Sequence, residues 1–124
     1  MEKEKNMKKN ILIFEGEYSR DKRNGEGKEY YPNGNILFEG EYYYYHKLKG
    51  KEYYPNGNSE FEGEYLYDSK WNGKGYNKNG KLIYELKDGD GKVREYKKGI
   101  LVFKGEYLKG KKMVRVKTLM SMMN

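Results

Sequence analysis

The stretch of sequence that decides the fold is Gly27-Lys28-Glu29-Tyr30-Tyr31-Pro32-Asn33-Gly34-Asn35, which recurs with the same nine residue types at residues 50–58. Each copy leads into the same ending, Phe-Glu-Gly-Glu-Tyr, at residues 38–42 and 61–65. The phenylalanine of this ending occurs at Phe14, Phe38 and Phe61, and weaker copies follow at Tyr84 and Phe103. The first three spacings are 24, 23 and 23 residues, and a period of this length indicates a repeat architecture.

Each copy predicts a β-hairpin. The Lys-Glu-Tyr-Tyr run favours a first strand, and Pro-Asn-Gly favours a turn in which glycine takes the left-handed conformation. Second strands are predicted over residues 36–42 and about 59–66, and later turns at residues 78–80 and 98–99. The segments between hairpins are predicted to be links, at residues 19–26, 43–49, 68–72 and 87–90. Because the fourth repeat is short, an irregularity of the sheet is expected near residues 86–91.

Alternation along the second strand places Phe38, Gly40 and Tyr42 on one face, and Glu39 and Glu41 on the other. Glycine in a strand is normally unfavourable, so its recurrence between two aromatic residues predicts that a neighbouring tyrosine covers the bare backbone. The opposite face is predicted to carry exposed Glu–Lys pairs, each of which contributes little. The repeat-defining structural residues are Phe14, Gly16, Gly27, Gly34, Phe38, Gly40, Gly50, Gly57, Phe61, Gly63, Gly73, Gly80, Gly99, Phe103 and Gly105.

The composition favours a thin, aromatic-rich β structure over a helical protein. The chain of 124 residues has 16 glycines, 15 tyrosines and no alanine, and alanine is the strongest helix former. Without cysteine there is no disulfide and no thiol chemistry. No apolar run approaches the roughly 18 residues of a transmembrane helix.

The formal charge of +7 is concentrated at the two ends of the chain. Residues 1–10 carry +2, residues 109–124 carry +5, and the repeat body between them is neutral. A nucleic-acid-binding face would need basic residues on the folded body, so nucleic acid is an unfavourable partner.

The repeats resemble the MORN family in their Phe-x-Gly-x-Tyr units, the Gly-x-Gly pairs at residues 25–27 and 73–75, and the Asn-Gly turns. One departure is Glu52, which replaces the second glycine of the pair that begins at Gly50. The resemblance covers about residues 11–110 and includes the MORN variant of bacterial antitoxin-like proteins. It implies an all-β fold, a single elongated and twisted antiparallel sheet of consecutive hairpins without significant helix. It also implies scaffolding or membrane-proximal roles, with phospholipid binding in some members.

Three segments are expected. Residues 1–10 form a charged flexible leader, residues 11–110 an array of four to five hairpin units with the fourth shortened, and residues 111–124 a basic, methionine-rich tail outside the repeat. When the tail is back-translated into codons and these are read one base earlier, the shifted frame can encode Asn-Gly and Glu-Tyr, which are residue pairs of the repeat. A frameshifted repeat is therefore one reading of the tail, and a short exposed or strand-like tail is the other.

No pattern predicts catalysis, a metal site or a cofactor. His46 is the only histidine and is expected to be a solvated loop side chain, while Trp71 is expected to pack between repeats. The carboxylates have the spacing of a solvent-exposed ladder, whereas paired catalytic carboxylates need an apolar pocket. The recurring tyrosines form either the core of a thin sheet or an exposed interaction face, and they are Tyr18, Tyr30, Tyr42, Tyr53, Tyr65, Tyr76, Tyr96 and Tyr107.

The sequence therefore favours a non-enzymatic, cytoplasmic scaffold that binds a protein partner or associates with itself through open sheet edges. Peripheral binding to anionic phospholipid membranes, through the basic ends and exposed aromatic residues, is one alternative. An antitoxin-like role, implied by the resemblance, is another.

Overall fold

The protein is built from strands and turns throughout residues 2–97 and 100–113, the part of the chain that the computed structural model describes. Strands make up 75% of the structure and helix is absent from these residues, so the all-β prediction is confirmed. The strands are β1 (Glu2–Lys8), β2 (Ile11–Ser19), β3 (Lys22–Tyr30), β4 (Ile36–Tyr43), β5 (His46–Tyr53), β6 (Ser59–Leu66), β7 (Ser69–Tyr76), β8 (Leu82–Leu86), β9 (Gly91–Lys97), β10 (Ile100–Leu108) and β11 (Lys111–Met113).

The strands form an open antiparallel meander that divides into two sheets. Strands β1 to β8 pair in sequence order in an eight-stranded sheet, and β9 to β11 pair in a three-stranded sheet. Only an isolated bridge, Lys87 to Asp90, lies between β8 and β9. The irregularity expected near residues 86–91 is therefore confirmed, and it is strong enough to divide the single sheet predicted from the sequence. The cause is the shortened fourth repeat, which leaves β8 only five residues long.

The turns at one edge of the sheet are the predicted Pro-Asn-Gly turns. In the first, the N–H of Tyr31 donates to the carbonyl of Asn35 at 2.8 Å, and the N–H of Gly34 donates to Tyr31 at 2.9 Å. Gly34 has φ +90°, which glycine adopts without steric cost. Gly57 and Gly80 hold the same place in the next two turns, with φ +92° and +89°.

The turns at the other edge contain only two residues, so the links predicted at residues 19–26, 43–49 and 68–72 are too long. Arg20 and Asp21 form the first, with φ +53° and +63°. Tight hairpin turns of this kind match the twist of the strands. Most residues of these three links are therefore strand residues; β3, for example, already begins at Lys22. The short link predicted at residues 87–90 is a turn, as expected. Further turns of this edge are at residues 44–45, 67–68, 88–89 and 109–110.

The flexible leader predicted at residues 1–10 is also wrong, because Glu2–Lys8 form the edge strand β1. Lys3 pairs with Glu17, and Lys5 pairs with Glu15 on β2. Opposite charges at facing positions and the backbone hydrogen bonds that β2 offers explain why a polar segment adds to the sheet.

The array extends beyond residue 110, because Lys111–Met113 form strand β11 against β10. These three residues form an exposed strand, which agrees with the strand-like alternative for the tail and extends the array by one strand. The remainder of that tail, to which most of the frameshift hypothesis applies, lies outside the described residues, as does the turn predicted at residues 98–99 with Gly99.

The core lies on one face of the eight-stranded sheet, which we call the aromatic face. Phe14, Phe38 and Phe61 are completely buried there. Phe38 meets the edges of Tyr42 and Tyr65 at centroid distances of 5.5 and 5.9 Å. Edge-to-face pairs of this kind add to the free energy of apolar burial, so each repeat is stabilised by the next one.

A row of glycines crosses six strands beneath these rings. Gly40 faces Gly27 on one side and Gly50 on the other. A Cβ atom added to Gly40 would lie 2.7 Å from the Cα atom of Gly50, and one added to Gly50 would lie 2.8 Å from Cζ of Phe38. The predicted covering of bare backbone by an aromatic ring is therefore present, but the ring over Gly50 belongs to phenylalanine and not to tyrosine.

Candidate interaction surfaces

The structure divides the eight recurring tyrosines between the two faces of the sheet. Tyr42, Tyr65 and Tyr107 are buried in the aromatic core, and Tyr18 packs against Phe14 at a centroid distance of 5.6 Å. None of the eight is exposed; the remaining half-buried ones are Tyr30, Tyr53, Tyr76 and Tyr96. They do not form one exposed stripe.

Tyr30 and Tyr53 lie on the opposite face, the ladder face, and serve as hydrogen-bond donors. Tyr30 Oη donates to Glu15 at 2.5 Å, and Tyr53 Oη donates to Glu39 at 2.5 Å. Burial, with the adjacent carboxylate, raises the pKa of each tyrosine to about 12. Both phenols therefore remain protonated and available to donate near neutral pH.

The stretch at residues 27–35, which recurs at residues 50–58, links each turn to the next by hydrogen bonds. Tyr31 Oη donates to the carbonyl of Tyr53 at 2.5 Å, and Tyr54 Oη donates to that of Tyr76 at 2.6 Å. Asn35 Nδ2 likewise donates to the carbonyl of Pro55 at 2.7 Å. The stacking of the turns thus explains why the two copies have the same sequence.

A basic residue lies over a phenylalanine ring in several repeats, a feature that the sequence predictions missed. The guanidinium of Arg23 lies 4.0 Å from the centroid of Phe14, and Lys47 Nζ lies 4.4 Å from that of Phe38. Both positions follow a two-residue turn by two residues, a signal that could have been found had those turns been recognised. Lys70 and Lys112 occupy the same place and lie over Phe61 and Phe103.

These cations also pair with glutamates on the aromatic face. Lys70 Nζ lies 3.2 Å from Glu52, and Lys47 lies 3.4 Å from Glu52 and 3.6 Å from Glu29. Burial opposes ionisation of Glu52, but Lys70 and Lys47 outweigh it, so the pKa of Glu52 is lowered. The buried charges are therefore compensated, as a stable interior requires.

A cleft of about 680 Å³ lies where the three-stranded sheet faces the aromatic face. Its lining includes Tyr31, Glu60, Lys70 and Tyr96. Burial raises the pKa of Glu60 to about 7; Lys70 and a backbone hydrogen bond with Tyr96 oppose the rise, and nearby carboxylates add to it. Tyr96 also packs on the buried ring of Tyr54 at a centroid distance of 5.9 Å.

A group of exposed apolar side chains, the turn-edge patch, lies beside the two-residue turns. Tyr67 is 88% exposed and Tyr43 is 57% exposed. Adjacent turns are joined because His46 Nδ1 and Asp68 Oδ2 are hydrogen-bonded at 2.7 Å. His46 is exposed as expected, but it begins strand β5 and does not lie in a loop. The patch is defined by Tyr43, Tyr45, Leu48, Leu66 and Tyr67.

Trp71 packs between repeats, as predicted. Its carbonyl accepts a hydrogen bond from the N–H of Gly89 at 2.8 Å. Its ring leaves no room for a side chain at Gly89, where an added Cβ would lie 2.6 Å from the indole, and it is in van der Waals contact with a Cβ added at Gly110, at 3.4 Å. Trp71 therefore helps to anchor the three-stranded sheet against the eight-stranded one.

The ladder face carries Lys and Glu in alternation across the strands. Lys51 faces Glu39 on one side and Glu62 on the other, and its Nζ lies 3.8 Å from Glu62. Within residues 2–97 and 100–113, no group of three or more His, Cys, Asp or Glu side chains could hold a metal ion. The described residues likewise contain no helix that could cross a membrane.

An open antiparallel meander, in which each hairpin packs on the next, defines a β-repeat protein. The family model described as MORN repeat matches residues 14–36 and 49–59, so these stretches of the chain are similar to MORN repeats. The MORN repeat is a non-enzymatic repeat that generally serves as a protein- or membrane-binding module. No curated protein and no solved structure matches the chain.

Proposed function

We propose that the chain is a non-enzymatic protein-interaction module and that it binds its partner through the turn-edge patch. The observation that carries this proposal is the exposure of Tyr43, Tyr45 and Tyr67 on adjacent turns, while the repeat tyrosines are buried or half-buried. Contiguous exposed apolar side chains mark interaction sites, and tyrosine is enriched in protein interfaces.

The patch is held in place before any partner binds. Tyr45 Oη donates to the carbonyl of Asp21 at 3.2 Å, and the N–H of Tyr45 donates to Arg23 at 2.8 Å. Tyr43 and Tyr44 pack edge to face at 4.7 Å. Ordered side chains lose less conformational entropy on association, which favours binding.

A second copy of the chain is the simplest partner. The open edge of β1 is a further route to self-association, as the sequence suggests. Its alternating charges, at Glu2, Lys3, Glu4 and Lys5, are of the kind that guards edge strands against unspecific pairing. We therefore place the main contact at the turn-edge patch.

The test combines Tyr43→Thr with Tyr67→Asn and follows sedimentation velocity over increasing protein concentration. Threonine suits a strand and asparagine tolerates positive φ, so the fold is preserved. We expect the wild-type chain to self-associate and the double variant to remain monomeric. Arg20→Asn, at the turn position equivalent to Tyr67, is the matched control and leaves association unchanged.

A wild-type chain that stays monomeric at the highest concentration, or a double variant that associates as strongly as wild type, would contradict the proposal for a second copy. Flotation with anionic vesicles at low salt tests the membrane alternative. If the wild-type chain floats with the vesicles and the double variant does not, the patch binds a lipid surface and not a protein. Co-purification with a toxin from the native host, lost in the double variant, would instead identify an antitoxin-like partner. A cytoplasmic location agrees with each protein-binding role.

A further inference from the structure

We propose that the cleft between the two sheets binds the guanidinium group of an arginine side chain on the protein partner, with Glu60 as counter-ion. This inference names the chemistry of the partner and rests on the proposed function. The cleft opens beside the turn-edge patch, because Tyr45 and Asp68 belong to its lining. A partner seated on the patch can therefore extend one side chain into the cleft.

Glu60 breaks a rule that the other repeats follow. In each repeat the residue before the core aromatic is skipped by the strand pairing, which places it in a β-bulge. For example, Glu52 faces Phe61 and Tyr53 faces Ser59, so that Glu60 is the extra residue. The equivalent residues elsewhere are aliphatic, namely Ile13, Leu37, Ile83 and Val102.

Two of the four aliphatic equivalents show that this position can pack against the core, whereas Val102 is 50% exposed. Leu37 and Ile83 are partly buried and pack against the aromatic core. A carboxylate at the same place forfeits that packing and is placed in a partly desolvated cleft. Local departures from an otherwise consistent pattern concentrate at functional sites.

The charges around Glu60 are already engaged with one another. Lys70 is paired with Glu52 at 3.2 Å, and Lys112 is paired with Glu95 at 3.6 Å. Among the described residues, Glu60 belongs to no ion pair within 4.0 Å, although Lys70, Glu52 and Glu95 act on it through space. Of the carboxylates in the cleft, it is the one that a ligand cation would neutralise.

A guanidinium fits this environment better than an ammonium. It is planar, it stacks on aromatic rings, and its donors match both oxygens of a carboxylate. Tyr31 and Tyr96 supply aromatic lining close to Glu60. The chain itself uses this combination where Arg23 lies 4.0 Å from the ring of Phe14 and 3.5 Å from Glu29.

Binding of a cation must depend on pH, since only the ionised carboxylate attracts it. Burial keeps Glu60 largely protonated below its pKa of about 7, and Lys70 on β7, Glu52 on β5, and Glu95 and Tyr96 on β9 are the groups that face it. Binding is therefore expected to be roughly tenfold tighter one pH unit above this value than one unit below it.

The experiment titrates the full chain with Nα-acetyl-arginine amide and follows backbone amide shifts by NMR. We expect saturable shifts confined to the cleft, with tighter binding at high pH. Nα-acetyl-citrulline amide, which is nearly isosteric and uncharged, is the ligand control. Glu60→Gln removes the charge and keeps the shape, so it should abolish both the binding and its pH dependence. Glu64→Gln, on the same strand but on the exposed ladder face, should leave both unchanged.

The inference is overturned by any of three results: no saturable shift, equal binding of the citrulline compound, or undiminished binding by Glu60→Gln. Its failure is separable from that of the proposed function, because the probe needs no partner and the Tyr43→Thr and Tyr67→Asn variant leaves the cleft intact. Persistent patch-dependent self-association without arginine binding would reject the cleft assignment alone. Specific arginine binding in a chain that lacks patch-dependent association would uphold the cleft and reject the patch.

Discussion

The two faces of the eight-stranded sheet come from the same strands but have different physical roles. On the aromatic face, Phe38 is fully buried and Lys47 covers its ring. On the ladder face, Lys51 and Glu62 pair at 3.8 Å with side chains 44% and 51% exposed. Exposed pairs contribute little because water and salt screen them, so the stability of the sheet comes almost entirely from one face.

The comparison also shows that charge has a different meaning on each face. Lys70 on the aromatic face is only 14% exposed and lies 3.2 Å from Glu52, whereas Lys49 on the ladder face is 61% exposed. A buried charge that loses its partner is strongly unfavourable, but an exposed one is solvated at once. The same residue type is therefore structural on one face and solubilising on the other.

The largest effect is expected from Phe38→Ala, which empties the centre of the aromatic face. Loss of apolar burial and the resulting cavity should lower the free energy of unfolding by about 3–5 kcal/mol. Urea denaturation followed by circular dichroism measures this. Lys51→Ala is the matched ladder-face control, with an expected change below about 0.5 kcal/mol. Similar losses for the two variants would remove the distinction between the faces, and Phe38→Leu extends the test if the alanine variant does not fold.

A smaller effect is expected from Gly40→Ala, in the glycine row between the two faces. The added Cβ would lie 2.7 Å from the Cα atom of Gly50, and backbone cannot move away as a side chain can. Overpacking of this kind should cost about 1–3 kcal/mol. Thermal unfolding of the Gly40→Ala and Phe38→Ala variants compares the two losses of stability.

Gly34→Ala separates crowding from backbone conformation. No atom lies within 4 Å of a Cβ added there, but φ is +90°. A cost on the order of 1 kcal/mol, from backbone conformation alone, is expected. If Gly40→Ala proves to be the milder of the two, close packing does not explain the glycine row.

The smallest effect is expected from Glu60→Leu, and it depends on pH. The folded pKa of Glu60 is raised from 4.5 to about 7, so the folded state disfavours ionisation. The contribution of this group is fully present below about pH 4.5 and is lost as the pH rises through 7. Wild type should therefore lose on the order of 1 kcal/mol over this window relative to the variant, after allowance for solvent screening.

Urea denaturation at both ends of the window checks this prediction, with Glu60→Gln as a control that retains the shape. Parallel pH dependence in wild type and both variants would show that Glu60 is not desolvated in the folded chain. The outcome also bears on the faces, although partial burial and the facing Glu41 raise the pKa of Glu26 on the ladder face as well.

The hairpins could be predicted because their signals are local. Pro32, Asn33 and Gly34 specify a turn whatever surrounds them. The two-residue turn at Tyr44 and Tyr45 could not be predicted, since neither tyrosine carries a turn signal although both have positive φ, +44° and +76°. Asp88-Gly89, at the same edge, does carry the Asp-Gly signal of a tight hairpin turn. The position of strand β1 was missed for a related reason, because a polar segment becomes a strand only when β2 offers an edge.

The candidate surfaces were less accessible to sequence reasoning than the fold. The period identified the tyrosines that recur, and these form the interior or bond to neighbouring carboxylates, as Tyr42 does with Glu29 at 2.6 Å. The exposed tyrosines lie at turns that the repeat pattern does not mark. Glu60 resembles any other strand glutamate until the bulge register shows that it occupies an aliphatic position.

The array of β-hairpins and its aromatic core follow from the sequence alone, because turn chemistry and side-chain alternation act over a few residues. The tertiary structure alone shows which tyrosines are exposed and which carboxylate faces the cleft. Those features depend on strand register and on the packing of one sheet against another. Both are set by contacts between residues distant in the chain, and no local pattern encodes them.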